Sequence, residues 1–598
     1  MKPLVNTSVP ALRSVLARRG LDGFIVPRAD QHLNEYIPAS SDRLRWLTGF
    51  TGSAGLAIVL ADAAAFFTDG RYQLQAEAEL DPRIFTLRHS VEAPAEAWLG
   101  ETLKPGQRIG YDPWLHAEEG LSRLARAAEA AGASLVAVAD NPVDEAWADR
   151  PDAPSAPVFP HALAFAGEEA AAKRSRIGAA IAKAGARAAL LTSPESIAWL
   201  LNIRGGDIPY TPVALAFALV FDAGAVSLFL DPARVDQALA SHLGPAVTVL
   251  PPSALGPSLA DLGAARAPVL VDPRTAPVWF ATRLRESGAT VIAADDPVLL
   301  PKAIKNAVEQ DGARAAQRRD GAALARFLAW FEAEAPRGEL TERAAGEQLL
   351  AFRAMGERFR GESFPAITAA GPNGAIIHYR ATAATDRQIA SGELFLLDSG
   401  GQYLDGTTDV TRTLLVGAPP AGVDELAERF TRVLKGHIAV ATLRFPKGVA
   451  GPHVDALARR ALWDAGLDYD HGTGHGVGSY LSVHEGPAGL SRAARPVPLA
   501  AGMILSNEPG FYAPGRYGIR LENLVLVREE EIAGAAKPFL GFETLTLAPF
   551  DRRLILPGML TEAERSWLDA YHGRVAAEIA PLVEPAVAAW LEAACAPL

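Results

Sequence analysis

Apolar and polar positions in the first half of the chain follow one order twice. In the first copy, the apolar run DGFIVP at 22–27 precedes a helical segment that contains Trp46. Two strand-like runs, GLAIVL and AAFFTD, come next, and the sequence DGR at 69–71 opens a helix. This alternation of apolar runs and amphipathic segments predicts an α/β domain.

The second copy begins with the run AALLT. Ser193 and Pro194 follow as a helix start, with a capping side chain and proline at the first helical position. Trp199 comes next, then the runs VALAFALVF and AVSLFL, and the sequence DPAR at 231–234 opens another helix. The shared order of elements predicts a repeated domain, although identity outside these points is low.

Two breaks in this pattern divide the chain into three predicted domains. The proline-rich stretch PDAPSAPVFP at 151–160 is typical of a linker, and Leu300-Pro301 precedes a long helical pattern that starts around Lys302. The remainder is typical of one larger α+β domain, whose last part opens with Thr561 and Glu564 at capping-box spacing and continues as helix. The predicted domains are 1–158, 159–302 and 303–598.

Composition narrows the class of protein. The 598 residues carry a formal net charge of −12, which argues against a nucleic-acid or anionic-membrane surface. A single cysteine, Cys595, rules out an intrachain disulfide framework and a cysteine-based zinc site. The first twenty residues hold no apolar run of signal-peptide length, and the most apolar stretch, 208–221, is too short for a membrane span. We therefore expect a soluble protein of a reducing cytoplasm.

Acidic residues occur at unusual places in the third domain. The apolar strand ELFLLDSGG ends on Asp398, and the strand-like TTDVTRT carries Asp409. The turn-prone pair Asp405-Gly406 lies between them, so a hairpin or bulged loop brings the two carboxylates side by side. Taken alone, two aspartates at this spacing carry little information.

A second acidic pair is more informative. Glu508 in MILSNEPGFY and Glu522 in GIRLENLVLV have their midpoint at Gly515, inside the turn APGRYG. In a hairpin centred there the two glutamates face each other, which is destabilising unless a cation lies between them. Arg520, on the same strand face as Glu522, can neutralise part of that charge. The alternative is a surface hairpin with another register.

Three histidines lie between the two acidic hairpins. They are His471, His475 and His484 in the glycine-rich segment HGTGHGVGSYLSVHEGP, where glycine lets the backbone approach closely. A phosphate loop is excluded because no Gly-Lys-Ser/Thr follows. Carboxylates and imidazoles without thiolates suit two divalent ions such as Mn²⁺ better than structural zinc. Such a pair of ions supports hydrolysis, whereas the motifs G-x-S-x-G and H-E-x-x-H are absent.

Five segments, in this order along the chain, resemble the pita-bread metallopeptidases, specifically the Xaa-Pro aminopeptidases (aminopeptidase P). The segments are GPNGAIIHY, LDSGGQYLDGTTDVTRT, HGTGHGVGSYLSVHEGP, NEPGFY and GIRLEN. RWLTGFTGSAG and TDGRY in the first domain resemble the long, three-domain cytosolic form. The resemblance implies two creatinase-like N-terminal α/β domains, then a pita-bread α+β catalytic domain with a helical C-terminal extension.

The resemblance also implies two divalent metal ions per chain, Mn²⁺ in the first place with Zn²⁺ or Co²⁺ as alternatives. Their ligands by matching position are Asp398, Asp409, His475, Glu508 and Glu522. In the family pattern, Asp409 and Glu522 contact both ions, Asp398 completes one, and the remaining two ligands complete the other. None of the five is replaced, so nothing marks the chain as an inactive copy.

The remaining site residues are assigned by the same resemblance. His378 and His484 line the substrate pocket and stabilise the transition state, and His471 holds the proline side of the scissile bond. Tyr512 and Arg520 match supporting positions. A hydroxide shared by the two ions attacks the first carbonyl, with Glu508 taking the proton of the water and a general acid protonating the proline nitrogen.

The expected activity is therefore removal of the N-terminal residue from peptides with a free amine and proline at the second position. The nearest alternative is a prolidase, which cleaves only Xaa-Pro dipeptides; the two N-terminal domains favour the aminopeptidase. A non-catalytic pita-bread module that binds peptides or histones would be marked by lost ligands, and creatine hydrolysis fits the two-metal set poorly. The family suggests a cytoplasmic homodimer.

Overall fold

Each N-terminal repeat forms a six-stranded mixed sheet with helices between its strands. The computed structural model describes residues 7–420 and 422–598. The start of the segment searched for a signal peptide, residues 1–6, lies outside the described residues. The first repeat contains strands β1 (Gly23–Pro27), β2 (Leu56–Leu60), β3 (Ala64–Thr68), β4 (Thr86–His89), β5 (Arg108–Tyr111) and β6 (Ser134–Ala137), and helices α1 (Ser8–Arg18), α2 (Arg43–Thr48), α3 (Gln73–Glu79), α4 (Ala95–Thr102), α5 (Glu118–Ala130) and α6 (Pro142–Ala146).

The second repeat has six corresponding sheet strands and, in addition, two short strands. It contains strands β7 (Val158–Pro160), β8 (Ala188–Leu191), β9 (Ile203–Gly205), β10 (Phe217–Phe221), β11 (Val226–Phe229), β12 (Val247–Leu250), β13 (Pro268–Val271) and β14 (Thr290–Ala293), and helices α7 (Leu163–Ala166), α8 (Ala170–Lys183), α9 (Pro194–Leu201), α10 (Gln237–Leu243), α11 (Leu255–Ala264) and α12 (Val278–Ser287).

The strand pairing of the two sheets is the same. The first sheet has the order β4-β3-β2-β1-β5-β6 and the second β12-β11-β10-β8-β13-β14. In the first sheet, β1 pairs antiparallel with β2, and β2 with β3, whereas the outer pairs β3–β4 and β5–β6 are parallel. The second sheet repeats this pattern: β8–β10 and β10–β11 are antiparallel, and the outer pairs β11–β12 and β13–β14 are parallel. The predicted repeat is therefore confirmed by its hydrogen-bonding pattern.

Of the two helix starts predicted in the second repeat, one is confirmed and one is wrong. The Ser193 side chain accepts a hydrogen bond from the Ser196 amide and Pro194 begins α9, as predicted. The prediction that the sequence DPAR opens an α-helix is wrong, because Pro232–Arg234 form a single 3₁₀ turn. The helix α10 begins later, where Asp236 caps it through the Leu239 amide.

The proline-rich segment is only partly a linker. Residues 151–157 have no regular structure, but β7 pairs antiparallel with β9. Proline is tolerated here because both strands of a two-stranded ladder are edge strands. A proline, which has no N–H, can therefore occupy a position that makes no hydrogen bond to a neighbouring strand. The last residues of the predicted linker therefore belong to the second repeat.

The third domain begins with a helix pair in place of one long helix. Its helices are α13 (Leu299–Ala303), α14 (Ala307–Glu334), α15 (Glu342–Ala354), α16 (Val423–Ala441), α17 (Gly451–Trp463), α18 (Glu562–Ile579) and α19 (Pro585–Ala594). The helical pattern predicted from Lys302 is interrupted at Asn306, which caps α14 in a capping box with Glu309. The capping box predicted for Thr561 and Glu564 is present at the start of α18.

Fourteen short strands complete this domain in the described residues. They are β15 (Phe359–Glu362), β16 (Ile367–Ala370), β17 (Leu394–Ser399), β18 (Gly401–Tyr403), β19 (Gly406–Thr407), β20 (Val410–Leu415), β21 (Phe445–Pro446), β22 (Gly474–Gly476), β23 (Glu485–Leu490), β24 (Ile504–Asn507), β25 (Gly510–Ala513), β26 (Tyr517–Arg520), β27 (Asn523–Glu530) and β28 (Phe539–Thr544). Their sheets have the orders β15-β18-β19, β16-β17-β20, β21-β28-β27-β24-β22-β23 and β25-β26. The predicted α+β character of the domain is confirmed.

The chain divides into two units, residues 1–163 with 168–299, and residues 164–167 with 300–598. The first unit holds both repeats, and the second holds the third domain. We keep the predicted boundaries after 158 and 302 as a proposal. Among the described residues, every helix is too short or too polar to cross a membrane.

A buried ion triple fixes the start of β23 in the third domain. The Glu485 carboxylate accepts a hydrogen bond from Lys302 Nζ at 2.6 Å, and its other oxygen pairs with Lys305 Nζ. All three side chains are at most 4% exposed. Burial alone would raise the pKa of Glu485, but the two lysines outweigh it and hold that pKa below its ordinary value.

We expect Glu485→Gln to lower the free energy of unfolding at pH 7 by about 3–5 kcal/mol, because two ammonium groups lose their buried counter-charge. Since the carboxylate pKa is lowered, this contribution is lost as pH falls below the ordinary carboxylate range, and the two proteins should converge there. Urea unfolding at several pH values measures the difference. The exposed Glu529 provides the control Glu529→Gln, expected to change stability by less than about 0.5 kcal/mol; an equal effect of both substitutions would contradict the prediction.

Candidate metal centre

The first acidic pair lies on a regular hairpin. Strands β17 and β20 pair with Asp398 opposite Thr411, and β18 and β19 continue the same register to the tip. Asp409 therefore stands two residues from the partner of Asp398, as a diagonal neighbour. The predicted hairpin is confirmed, but its two-residue loop is Leu404-Asp405, so the turn assigned to Asp405-Gly406 is wrong by one residue.

The second acidic pair also lies on one hairpin with the predicted centre. Asn507 pairs with Asn523 on β24 and β27, and Gly510 pairs with Arg520 on β25 and β26. Both pairs have the same midpoint, Gly515, and Glu508 and Glu522 fall between them in a gap of the ladder. The register predicted by counting from the turn is therefore the observed one.

Thr411 joins the two hairpins. Its hydroxyl donates a hydrogen bond to Glu522 Oε2 at 2.8 Å, and its carbonyl accepts the Glu522 amide at 3.1 Å. Because Thr411 is the strand partner of Asp398, one residue sets the position of a carboxylate from each hairpin. This residue was missed by the sequence analysis; the alternation of threonines in TTDVTRT is the signal that marks its face of the strand.

His475 on β22 completes the cluster. Its Nδ1 lies 2.9 Å from the Gly476 carbonyl, so the proton on that nitrogen leaves Nε2 as the lone-pair donor. Nε2 is 3.5 Å from Asp409 Oδ2 and 3.4 Å from Glu508 Oε1. One ligand atom each of Asp409, His475 and Glu522 lies within 4.8 Å of the others.

Glycines around His475 allow this approach. A Cβ at Gly474 would collide with the carbonyl oxygen of Ser506, and one at Gly476 with that of Glu485. Strand β22 therefore lies closer to its neighbours than any other residue type would permit, as the glycine-rich sequence predicted.

Burial and mutual repulsion perturb the carboxylates. Burial raises the pKa values of Asp409 and Glu522 well above the ordinary range, and the neighbouring carboxylates raise them further. Burial also raises the pKa of Glu508 to about 7, with Asp398 adding to the effect and Arg520 opposing it. Four carboxylates against one guanidinium form a site that favours positive charge.

Arg520 offsets charge on both hairpins. As predicted, its guanidinium opposes the rise in the pKa values of Glu508 and Glu522. Its direct ion pair, which was not predicted, lies on the other hairpin, where Nη2 donates to Asp398 Oδ2 at 2.6 Å. Its Nη1 donates to the Tyr512 hydroxyl at 2.6 Å, and that hydroxyl is 2.9 Å from His471 Nε2. A continuous chain of hydrogen bonds thus runs from Asp398 to His471.

The other two predicted histidines flank the cluster differently. The ring of His484 meets the ring of His475 edge-on, with centroids 4.3 Å apart. His378 is half-buried and follows Ile377, whose carbonyl accepts a hydrogen bond from Arg520. The structure thus brings Asp409, His475 and Glu522 within 4.8 Å of one another and places Glu508 beside His475. Asp398, Arg520, Tyr512 and His471 form the hydrogen-bonded chain, which His378 adjoins through the Ile377 carbonyl.

The donor set fits divalent cations. Asp398 Oδ1 and Glu522 Oε1 are buried oxygens without a hydrogen-bond partner in residues 7–420 and 422–598. Buried carboxylate oxygens normally have a donor, so an orphan on each hairpin calls for a positive ligand. Oxygen donors with one imidazole nitrogen suit a hard or borderline divalent ion.

Comparisons with known proteins agree with this geometry. Residues 311–529 match the model of metallopeptidase family M24, and residues 538–598 match the C-terminal region of that family. Residues 9–145 and 149–309 match models of the creatinase/prolidase N-terminal domain. A probable Xaa-Pro aminopeptidase P of Laccaria bicolor is 40% identical, in a match that covers 99% of this chain and 94% of that relative. The chain belongs to the aminopeptidase P group of metallopeptidase family M24.

Two further relatives support this membership over the whole length. Aminopeptidase P2 of Arabidopsis thaliana is 38% identical, over 98% of this chain and 87% of that protein. The crystal structure of an X-prolyl aminopeptidase from Caenorhabditis elegans, described as a cytosolic enzyme with a di-nuclear active site, has a TM-score of 0.94 at 34% identity and covers 99% of both chains. The predicted family, fold class and enzyme class are confirmed. The roles of individual residues stay predictions.

In this aminopeptidase P group member, the raised pKa of Glu508 predicts an unusual effect of a single substitution. A carboxyl whose folded pKa is raised stabilises the protein below its unfolded pKa, and that contribution is lost as pH rises through about 7. In chelator-treated protein at pH 8, we therefore expect Glu508→Gln to be more stable than the wild type, by up to about 3 kcal/mol. At pH 4 the two should be nearly equal.

Urea unfolding between pH 4 and pH 8, with chelator throughout, measures this difference. The matched control is again Glu529→Gln at an exposed position of β27, expected to follow the wild type at every pH. A Glu508→Gln protein that is less stable than the wild type at pH 8 would contradict the prediction.

Proposed function

We propose that this chain removes the N-terminal residue from peptides that have a free amine and proline at the second position. The observation that carries the proposal is the cluster of Asp409, His475 and Glu522, with Glu508 beside His475 and an orphan buried oxygen on each acidic hairpin. The family membership supports the same reaction, since the relatives matched along their whole length are named Xaa-Pro aminopeptidases.

Two divalent cations, Mn²⁺ in the first place with Zn²⁺ or Co²⁺ as alternatives, would be held by Asp398, Asp409, His475, Glu508 and Glu522. When bound, they supply a nucleophilic hydroxide at neutral pH and polarise the scissile carbonyl. The hydrogen bond from His475 Nδ1 to the Gly476 carbonyl supports its role, because it presents Nε2 to the cluster. The ion pair with Arg520 orients Asp398 in the same way.

Glu508 is the proposed proton acceptor for the attacking water. Its side chain is 18% exposed, more than those of Asp398 at 11% and Asp409 at 5%. Its Oε1 accepts a hydrogen bond from the Ser506 hydroxyl at 3.1 Å, which fixes the carboxylate. A general base needs both an accessible oxygen and a fixed position, and Glu508 has both.

His484 and His378 are the proposed stabilisers of the developing negative charge on the carbonyl oxygen. The edge-on contact with His475 supports this for His484, because it holds the ring beside the cluster. A donor in such a position contributes on the order of 3 kcal/mol to transition-state binding in other hydrolases. His471, fixed by Tyr512 at 2.9 Å, is proposed to contact the proline side of the scissile bond.

Proline selectivity follows from the chemistry of the bond. The proline nitrogen is a tertiary amide without N–H, and its φ is fixed, so a shaped pocket can select it. That nitrogen must be protonated before it leaves, which requires a general acid. Recognition of the free α-amine would restrict cleavage to the first bond.

A prolidase is the second candidate, and the length of the chain argues against it. The relatives matched over more than nine-tenths of this chain are named as aminopeptidases, and the matches span the two N-terminal domains of this chain. A non-catalytic peptide-binding module is disfavoured because every predicted ligand is present. We further propose a cytoplasmic homodimer, supported by the family resemblance and by the description of the Caenorhabditis elegans enzyme as cytosolic.

Digestion with Mn²⁺ followed by mass spectrometry tests the activity. The substrates are a peptide beginning Arg-Pro-Pro, its amino-acetylated form, and an Xaa-Pro dipeptide. We expect release of only the first residue from the free-amine peptide, abolished by a chelator and by Glu508→Gln but not by Glu529→Gln. Cleavage confined to the dipeptide would identify a prolidase, and no cleavage by metal-loaded protein would favour the binding module.

His484→Ala separates catalysis from metal binding. Because His484 touches His475 and is not among the proposed ligands, we expect the variant to keep its metal content and lose most of kcat, about 100-fold if it removes one oxyanion donor. Elemental analysis and kinetics on the same preparation measure both quantities. Loss of metal would make His484 a ligand and overturn the assignment of the histidines.

A further inference from the structure

A buried arginine of β20 holds the backbone of both acidic hairpins. Arg412 Nη1 donates to the carbonyls of Thr411 at 2.8 Å and Glu522 at 2.6 Å. Arg412 is 1% exposed, and its acceptors among the described residues are carbonyl, amide and hydroxyl oxygens, all uncharged. A guanidinium buried without a carboxylate is costly, so its position must serve the groups that it binds.

The other side of the guanidinium reaches the C-terminal region. Arg412 Nη2 donates to the Ala548 carbonyl at 2.6 Å and to the hydroxyl of Tyr571, on α18, at 3.0 Å. The same hydroxyl donates to the Ala548 carbonyl, 2.8 Å away. Tyr571 is buried and stacks against Trp567 with nearly parallel rings. The phenol therefore fixes the end of the guanidinium that does not contact Glu522.

The residues on both sides of Glu522 are held by the same network. Asn523 Oδ1 accepts from Arg412 Nη2 at 2.8 Å, and its amide nitrogen lies 3.1 Å from His437 Nε2. His437 Nδ1 in turn lies 3.2 Å from the Leu521 carbonyl. The carbonyls of Leu521 and Glu522 and the side chain of Asn523 are thus bound by side chains from β20 and α16, and Arg412 is in turn bound from α18.

We propose that the C-terminal helix α18 supports the metal centre through Tyr571 and Arg412, which act as positioning residues for Glu522. This inference rests on the proposed function, in which Glu522 is a metal ligand. Under this proposal, the C-terminal region, residues 538–598, contributes to the affinity of Glu522 for its cations. Removal of outer-shell partners typically weakens metal binding 10–100-fold.

Metal titration of the full-length, chelator-treated protein tests the proposal. Isothermal titration with Mn²⁺ at 25 °C compares the wild type with Tyr571→Phe, which removes only the hydroxyl. We expect the Mn²⁺ affinity of Tyr571→Phe to fall 10–100-fold. Excess Mn²⁺ should restore peptidase activity, because the ligands themselves are intact. Arg412→Lys is the second variant, expected to weaken binding at least as much, since an ammonium cannot reproduce the fork.

Leu568→Ala provides the matched structural control. Leu568 is fully buried on the same helix, one turn before Tyr571, and its truncation leaves a cavity without removing a hydrogen bond. We expect it to lower the unfolding temperature of metal-free protein more than Tyr571→Phe does, while its Mn²⁺ affinity stays within threefold of the wild type. A merely structural role of α18 would instead weaken Mn²⁺ binding in both variants or in neither, and either result would overturn the proposal.

Glu522→Gln separates this inference from the proposed function. If Glu522→Gln abolishes Mn²⁺ binding and Tyr571→Phe does not weaken it, the positioning role is wrong while the metal centre stands. If the wild type binds no Mn²⁺, or if Glu522→Gln binds it as the wild type does, the proposed function is wrong. The positioning role of Tyr571 and Arg412 then fails with it.

Discussion

Four carboxylates share one buried space in the third domain, and their mutual repulsion is the constraint on which the surrounding structure depends. Asp409, Glu508 and Glu522 would be more stable in water or protonated, as their raised pKa values indicate. Side chains under such strain turn away unless their backbone is fixed. The structure fixes it by placing the carboxylates in pairs on two hairpins and by joining the hairpins at Thr411.

Two buried arginines support this space, and each binds a different kind of acceptor. The one guanidinium that ion-pairs within it, Arg520, meets Asp398, so it lowers the local negative charge without occupying the region between the glutamates. Behind the glutamates, the guanidinium of Arg412 donates only to uncharged carbonyl, amide and hydroxyl oxygens. His437 beside it is neutral, because burial and the nearby Arg412 lower its pKa to about 3. Positive charge at the centre is thus left for the cations.

Hairpin registers and the order of elements could be predicted, because they follow from residue spacing along the chain. Contacts between segments that are distant in sequence could not. The register of both hairpins follows from the position of a turn, and the repeat follows from the order of apolar runs. The partner of Arg520 does not, because it lies on the other hairpin and no local pattern shows that the two ladders face each other. Tyr571 is likewise distant in sequence and looks like any aromatic residue of an amphipathic helix. The DPAR segment was instead predicted wrongly as a helix start, because a capping motif alone does not decide between a 3₁₀ turn and an α-helix.

The pairing of the ligands has a consequence for how such a chain can change over evolution. Side chains alternate between the faces of a strand, so inserting or deleting one residue between Asp398 and Asp409, or between Glu508 and Glu522, would turn a carboxylate to the opposite face. The two loops also constrain residue identity, because Gly515 has a positive φ and the buried Asp405 pairs with Arg319 and Arg358. Tolerated insertions and deletions between the paired ligands should therefore come in compensating or even numbers.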